Sequence, residues 1–493
     1  MSETVYDRLS AVVGADRVAT DRKTLQKYSQ DQSFVRPCLP DYVVFARNVR
    51  EVQEVLKAAN ENKTPVVPVS SGMNLRGAAI PKEGGIILDL SQMNRVGPVT
   101  ERERWVVVEP GVTYGQLGEE LQKHGLRVMM PLGVPQSRSV ISSIIERDPT
   151  LAAASFEYGN SLHMDIEVVL PTGVVWRMGK WRRRLRGQWS PPAGGGLHGD
   201  SPYPWLWHKA QGTLGVITGM VVKAEHIPRA SKVFALPFDA LEEAIEPLRR
   251  IQRKELGLEC FLLNNFNLAA VMAQDWQLPR GFPCQQVASS EFNRLRDRVP
   301  RWTLIIHLAG LVYFPEEKVA YEEDDLRSVC TEMGLPLTQS LAEEARLLDL
   351  IQHPWLALKK ANFRGSFHPV TLHTTLDRIP EFRREVFALA QKHGYPLDEI
   401  GEYVLPIERG RNCYYEVDFH CNPDDSDDMQ RIKQLWLEAN QLCVNMGAVP
   451  DKPYGPCADM VYRRYDPSYV SLLKSLKREL DPNNIMNPGQ LCF

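Results

Sequence analysis

Short apolar runs separated by small-residue loops mark the first quarter of the chain. The run Pro65 to Val69 ends in a loop holding Ser70, Ser71, Gly72, Asn74 and Gly77. A second run follows at Gly85 to Leu90, and a third, Trp105 to Val108, stops at Glu109-Pro110-Gly111. Strand, glycine-bearing loop, strand, turn, strand lets backbone N–H groups and small hydroxyls close on a diphosphate. Taken alone, such a loop is an ordinary turn, and the rest of the chain has to decide. Upstream, Asp41 to Ala46 has a strand pattern, and Val49, Val52, Val55, Leu56 and Ala59 then share one helical face. Strand, helix, strand predicts a βαβ start with parallel strands and a right-handed crossover.

Further along, Val112 to His124 reads as a helix with Gly125 at its C′ position. Val134 to Arg147 reads as a loop with a short helix, and Met164 to Leu170 and Val174 to Met178 as a hairpin turning on Pro171-Thr172-Gly173. The basic run Lys180 to Arg186 is expected to be a solvated face, and the Pro/Gly loop Pro191 to Pro204 a lid or rim. A strand, Gly215 to Lys223, follows. From Ala230 the pattern becomes α+β with an antiparallel sheet: helices at Leu241 to Arg253 and Glu317 to Met333, strands at Glu259 to Leu263 and Trp302 to Leu311. The helix Tyr469 to Leu480 stops at Asp481-Pro482, and the ending after it is too apolar to be a loose tail.

At 493 residues, two or three domains are expected. A net charge of −3 argues against nucleic acid as a partner. The N-terminus lacks the basic and apolar regions of a signal peptide, and no run is long enough for a membrane span. The nine cysteines are scattered and form no C-x-x-C, which suits reduced thiols in the cytoplasm and argues against a metal or iron–sulfur site.

In this order stand five segments: PVSSGMNLRGAA, GGIILDLSQMNRV, VVVEPGVTYGQL, QGTLGVITGMVV and LDPNNIMNPGQ. On them the chain resembles, over nearly its whole length, the FAD-linked oxidoreductases of the vanillyl-alcohol oxidase and p-cresol methylhydroxylase (PCMH) type. The resemblance implies an α+β fold: a PCMH-type FAD-binding domain of two α+β subdomains, with an inserted antiparallel-sheet cap that binds substrate. Residues 1–228 and the returning segment 452–493 would form the first, and residues 229–451 the cap. It also implies the cofactor contacts. Pro68, Ser70, Ser71, Gly72, Met73, Asn74, Leu75 and Gly77 would hold the diphosphate, and Glu109, Pro110 and Gly111 the adenine side. Pro135, Ser139 and Ser142 would run past the flavin ring, with Gly215, Ile217, Thr218 and Asn487 completing the site.

The departures from that pattern shape the expected chemistry. Ser142-Ser143-Ile144 replaces a frequent Gly-Gly-Asn step, and the first loop lacks the histidine that anchors FAD covalently in many relatives. Non-covalent FAD is therefore expected, with a link through Tyr414 or Cys413 as the alternative. Gln136 falls where relatives place an aspartate near flavin N5; an amide can position a donor but cannot act as a carboxylate base. Arg138 follows and can pair with an anionic donor. In the cap, Arg364, His368 and His373 lie on one candidate substrate strand and Arg409, Arg411, Tyr415 and His420 on another. Period-two counting puts Arg409, Arg411, Cys413 and Tyr415 on one face, which would suit an anionic donor. Lys452 aligns with the arginine of a phenolate-binding Tyr-Arg pair.

Gln136, Arg138, His368, Arg409, Arg411, Tyr415 and Lys452 are thus the expected catalytic group. The expected reaction takes a hydride from a para-substituted phenol or aromatic alcohol to FAD and passes the electrons to a partner protein or oxygen. A D-2-hydroxy-acid dehydrogenase gripping a carboxylate through Arg138, Arg409 or Arg411 is the second reading. A flavin-bearing electron-transfer subunit is the third. A homo-oligomer is expected in each case.

Overall fold

The computed structural model describes residues 4–73, 75–155, 162–177, 204–337 and 341–493. Asn74, the basic run at 180–186 and the loop at 191–203 lie outside them.

The βαβ start is present. Strands β1 (Val18–Ala19), β2 (Tyr42–Phe45), β3 (Val66–Val69) and β4 (Ile86–Asp89) form a sheet in the order β1-β2-β4-β3. β2, β4 and β3 are parallel, with Tyr42 and Val66 both opposite Ile86. The helix Val49–Glu61 between β2 and β3 buries Val52, Val55, Leu56, Ala58 and Ala59, and Asn48 caps its start by accepting from Glu51 N–H.

A second, antiparallel sheet contains β5 (Val96–Thr100), β6 (Trp105–Val108), β8 (His163–Val169), β9 (Val175–Arg177) and β10 (Val216–Lys223), in the order β5-β6-β10-β8-β9. A short ribbon pairs β7 (Leu126–Arg127) with β11 (Glu225–His226).

The third sheet is the largest. It comprises β12 (Ala230–Phe238), β13 (Glu259–Asn264), β14 (Trp302–Gly310), β15 (Ser366–Thr374), β16 (Gly401–Ile407), β17 (Asn412–Cys421) and β18 (Val449–Pro450). Their order is β12-β14-β13-β16-β17-β15-β18, antiparallel throughout. Alternation gives it two unlike faces. Leu262, Leu304, Val404, Tyr415, Val417 and Phe419 pack outward onto helices such as Leu241–Arg253 and Ile379–Lys392. Phe261, Ile305, Tyr403, Leu405 and Tyr414 face inward, toward Leu151, Ala153 and the helix Leu341–Gln352.

The chain's end returns to the first sheet. Val66 N–H donates to Ile485 C=O and Asn487 N–H to Val66 C=O, so residues 485–487 run beside β3. Lys477 locks this return: its Nζ donates to Asp481 at 2.5 Å, to Thr213 C=O at 2.7 Å and to Met486 C=O at 2.8 Å. Asp481 in turn accepts from Ile485 and Met486 N–H. No described helix is long and apolar enough to cross a membrane.

Removing one partner of a buried ion pair strands the other charge, at a cost of about 3–5 kcal/mol. Lys477→Met should therefore lower unfolding stability by about that amount. Urea denaturation measures it, and an unchanged midpoint would refute the anchoring role.

Candidate active site

The loop after β3 turns at Gly72, with φ +65°, where an added Cβ would meet open space. Farther on, Gly77 has φ +80° and donates its N–H to Asp31, while a Cβ there would sit 2.2 Å from Val35. The loop is joined to the helix Val140–Ile145 by hydroxyls. Ser139 caps that helix, donates its Oγ to Pro110 C=O at 2.6 Å, and gives its N–H to Ser71 Oγ at 3.0 Å. Ser70 and Ser142 hydroxyls meet at 2.5 Å.

These elements enclose a cleft floored by Pro68, Ala78, Leu90, Ile141, Leu214 and Ile217. Ser70, Ser71, Gly72, Met73, Pro110, Ser142 and Gly215 line it as well. Gln211 also lines the cleft and is 6 % exposed, yet neither its amide oxygen nor its nitrogen has a hydrogen-bond partner among the described residues. A buried amide in that condition needs a ligand with both a donor and an acceptor. Small hydroxyls, an open glycine and an unsatisfied amide above an apolar floor fit a dinucleotide such as FAD.

The cleft continues into a pocket beside the large antiparallel sheet, because Met73, Arg138 and Glu146 line both. Phe34 stacks on His368 at 4.0 Å, and with Trp436, Tyr403, Tyr414 and Tyr454 they give this pocket aromatic walls. Its charges are paired. Arg138 Nη1 donates to Met73 C=O at 2.8 Å and Nη2 lies 3.3 Å from Asp148. Lys452 Nζ donates to Glu146 C=O at 2.6 Å and lies 2.9 Å from Asp148 and 3.1 Å from Asp451. Asp451 also meets Lys209 at 3.0 Å and His373 at 2.9 Å. Lys360 bridges Asp418 at 2.6 Å and Glu416 at 2.9 Å, and Tyr414 Oη donates to Glu416 at 2.5 Å.

Burial and pairing pull these groups apart. Burial pushes Glu146 up to about 7 against the pull of Lys452 and Arg138. Asp148 is equally buried, but Lys452 and Arg138 hold it below the usual carboxylate range. Lys209 and Lys452 overcome burial to keep Asp451 well below its own. Burial lowers His368 to about 3, so its imidazole is neutral.

Several expected residues stand elsewhere. Gln136 is exposed; its carbonyl accepts from Gly115 N–H at 3.0 Å, and it borders a different cavity. Glu146 and Asp148 supply the carboxyls instead. Arg409 and Arg411 lie exposed in the turn between β16 and β17, where Arg409 pairs with Glu255. Tyr415 faces outward, donating to Glu402 at 2.6 Å, and Cys413 shares that face. The face was misassigned by one residue: Tyr414 and Glu416 line the pocket, and a one-residue offset exchanges every side chain between faces. Of the two candidates for a covalent link, only Tyr414 faces the pocket.

Among the expected cofactor residues, Thr218 points away and bonds Glu167 at 3.0 Å, and Glu109 pairs with Arg95 at 3.2 Å. Gly111 packs against Ser91, while Asn487 stands behind the cleft and donates to Ala78 C=O at 3.0 Å and Gln211 C=O at 2.7 Å. Pro135, Leu75, His368, Arg138 and Lys452 line the pocket. Arg76, Glu146, Lys360, Tyr403, Glu416 and Asp451 line it too and were missed. Arg76 lies inside the quoted PVSSGMNLRGAA segment, so its position was in plain sight.

Comparison with known proteins gives the family. Residues 40–179 match the FAD binding domain model, and residues 375–491 match the C-terminal domain of FAD linked oxidases. The chain belongs to the FAD-linked oxidoreductases of the PCMH and vanillyl-alcohol oxidase type. It is an FAD-dependent enzyme. A crystal structure of p-cresol methylhydroxylase with substrate bound superposes with a TM-score of 0.79 at 21% identity, covering 98% of this chain and 95% of that one. The 4-ethylphenol oxidase of Gulosibacter chungangensis gives 0.78 at 19%, covering 98% and 96%. Among curated proteins, the flavoprotein subunit of 4-cresol dehydrogenase (hydroxylating) from Pseudomonas putida is 24% identical over 98% of this chain and 94% of its own length. The probable mitochondrial D-lactate dehydrogenase of Danio rerio is 23% identical over 99% and 92%. The glycolate oxidase subunit GlcD of Bacillus subtilis is 22% identical over 100% and 97%. Relatives of both substrate classes thus cover the whole chain.

Losing the Gln211 amide should weaken FAD binding by about 1.4 kcal/mol, or roughly tenfold in Kd. Titrating the FAD-stripped Gln211→Leu variant by flavin fluorescence reads this directly, and wild-type affinity would count against the assignment. Glu146 binds its proton more tightly folded than unfolded. Its stabilising effect is complete below its ordinary value and disappears as pH rises through about 7. Thermal unfolding of the FAD-free protein should therefore shift down between about pH 5 and pH 8. Glu146→Gln should flatten that slope.

Proposed function

We propose that this enzyme oxidises a small para-substituted phenol or related aromatic alcohol. The observation that carries this reading is a pair of buried phenols, Tyr403 and Tyr454. Both line the pocket, and neither hydroxyl has a hydrogen-bond partner among the described residues. A donor oxygen accepting from both would satisfy them, and the half-buried Arg76 lines the same pocket. Aromatic walls at Phe34, Trp436 and Tyr414 suit a ring.

Bound FAD supplies a hydride acceptor. The chain's own residues bind and orient the donor and hold its protons. Tyr403, Tyr454 and Arg76 stabilise negative charge on the donor oxygen as the neighbouring carbon becomes electron-poor. Glu146, at the junction of cleft and pocket, can hold or release a proton at Oε2, which has no partner. Arg138, fixed by Met73 and Asp148, positions the donor at the same junction. On this reading residues 1–228 and 452–493 hold FAD and residues 229–451 form the cap. The electrons leave to an acceptor protein or to oxygen. All nine cysteines are free, which fits a reducing cytoplasm.

A second reading is supported by the full-length D-lactate dehydrogenase and glycolate oxidase relatives. There Arg76 and Lys452 would grip the carboxylate of a 2-hydroxy acid.

Anaerobic mixing with 4-alkylphenols should bleach the flavin, whereas D-lactate and glycolate should not. Bleaching by the hydroxy acids alone would replace the first reading with the second. Tyr403→Phe should lower kcat/KM for the phenol by about 10- to 100-fold with FAD content unchanged.

A further inference from the structure

A second group of reactive side chains stands on the inner face of the large sheet, on β12, β14 and β13. Antiparallel register puts Glu259 opposite His307 and His307 opposite Val233, so Ser231 lies one diagonal step away on the same face. His307 Nδ1 is 2.6 Å from Glu259 Oε2, and its Nε2 is 2.9 Å from Ser231 Oγ. From β7, Arg127 Nη2 donates to Glu259 Oε1 at 2.9 Å. All four line one cavity, whose other walls include Met129, Met130, Leu348, Ile351 and Trp355. It shares no lining residue with the cofactor cleft or the donor pocket.

Burial would raise Glu259, but Arg127 and the His307 hydrogen bond hold it below the usual range, so it is a carboxylate and only accepts. Nδ1 therefore carries a proton toward Glu259, and in the tautomer with Nε2 unprotonated that nitrogen accepts from the Ser231 hydroxyl. A nucleophile needs this order: a base within reach and a third group orienting the base. Glu259 and His307 are 2 % and 1 % exposed, whereas Ser231 is only half-buried at the cavity wall. Arg127 Nε is buried with no partner among the described residues, leaving a cationic donor for an oxyanion.

We propose that Ser231 and His307, with Glu259 positioning the imidazole, form an acyl-transfer site for esters of small apolar acids. Ser231 Oγ attacks the ester carbonyl while its proton passes to His307 Nε2. The bond to the alcohol oxygen breaks, and the alcohol leaves with that proton. Water, deprotonated at the same nitrogen, then cleaves the acyl-serine, releasing the acid and restoring the hydroxyl. No electrons are exchanged, so the site works independently of the flavin and of the donor's identity.

The FAD-loaded enzyme is treated with a fluorophosphonate, the adduct is located by peptide mass, and hydrolysis of p-nitrophenyl butyrate is followed in parallel. A single adduct on Ser231 is expected, together with ester hydrolysis that falls to background in Ser231→Ala while the flavin spectrum stays unchanged. His307→Gln should slow labelling by about 100-fold or more. If that variant does not fold, Ser231→Ala alone carries the test. A wild-type enzyme that takes no adduct, or an adduct that persists in Ser231→Ala, would overturn the proposal.

Discussion

One buried ammonium, Lys452, ties the catalytic region together. It donates to the end of the helix that closes the cofactor cleft, through Glu146 C=O, and pairs with Asp148 just beyond it. It also pairs with its neighbour Asp451, which holds Lys209 from the chain before β10 and His373 on β15. Taking such charges out of water costs several kcal/mol each unless every one is paired. The network therefore contributes little net stability, but it specifies geometry closely. Cleft, cap strand and C-terminal segment can satisfy their charges only in one mutual arrangement.

That arrangement leaves the pocket close to neutral. Arg76, Arg138, Lys360 and Lys452 line it against Glu146, Asp148, Glu416 and Asp451. Asp148 and Asp451 are held ionised by the cations beside them, whereas Glu146, with burial pushing it up to about 7, changes charge near neutral pH. One proton at Glu146 thus decides whether the space beside the cofactor is positive or neutral, which bears directly on the affinity for an anionic donor.

The cofactor half was legible because its determinants are local. A strand, a glycine at positive φ and two hydroxyls within a few residues build the loop, and the segment Ser70 to Met73 lines the cleft. The donor half was not, for two physical reasons. Parity on β17 cannot be counted through the turn at Glu408 and Arg409, both at positive φ, so Tyr414 and Glu416 were exchanged for Cys413 and Tyr415. The other reason is distance in sequence. Glu146, Lys209 and Lys452 lie on three separate segments, and only the fold brings them together. Gln136 is exposed and does not line the pocket, whereas Glu146, ten residues later, does.

The large sheet presents different chemistry on its two faces. Its outer face is spent on helix packing, with Tyr415 and Glu402 satisfying each other beside Arg383. The inner face must meet a polar interior, so it carries the buried carboxylates Glu259, Glu416 and Asp418, each with a cationic or imidazole partner. Strands β16, β17 and β15 turn this face toward the cofactor, whereas β12, β14 and β13 turn it toward a separate cavity. On the proposed reading, changing Tyr403, Tyr414 or Glu416 would alter the donor without touching the residues that line the cleft.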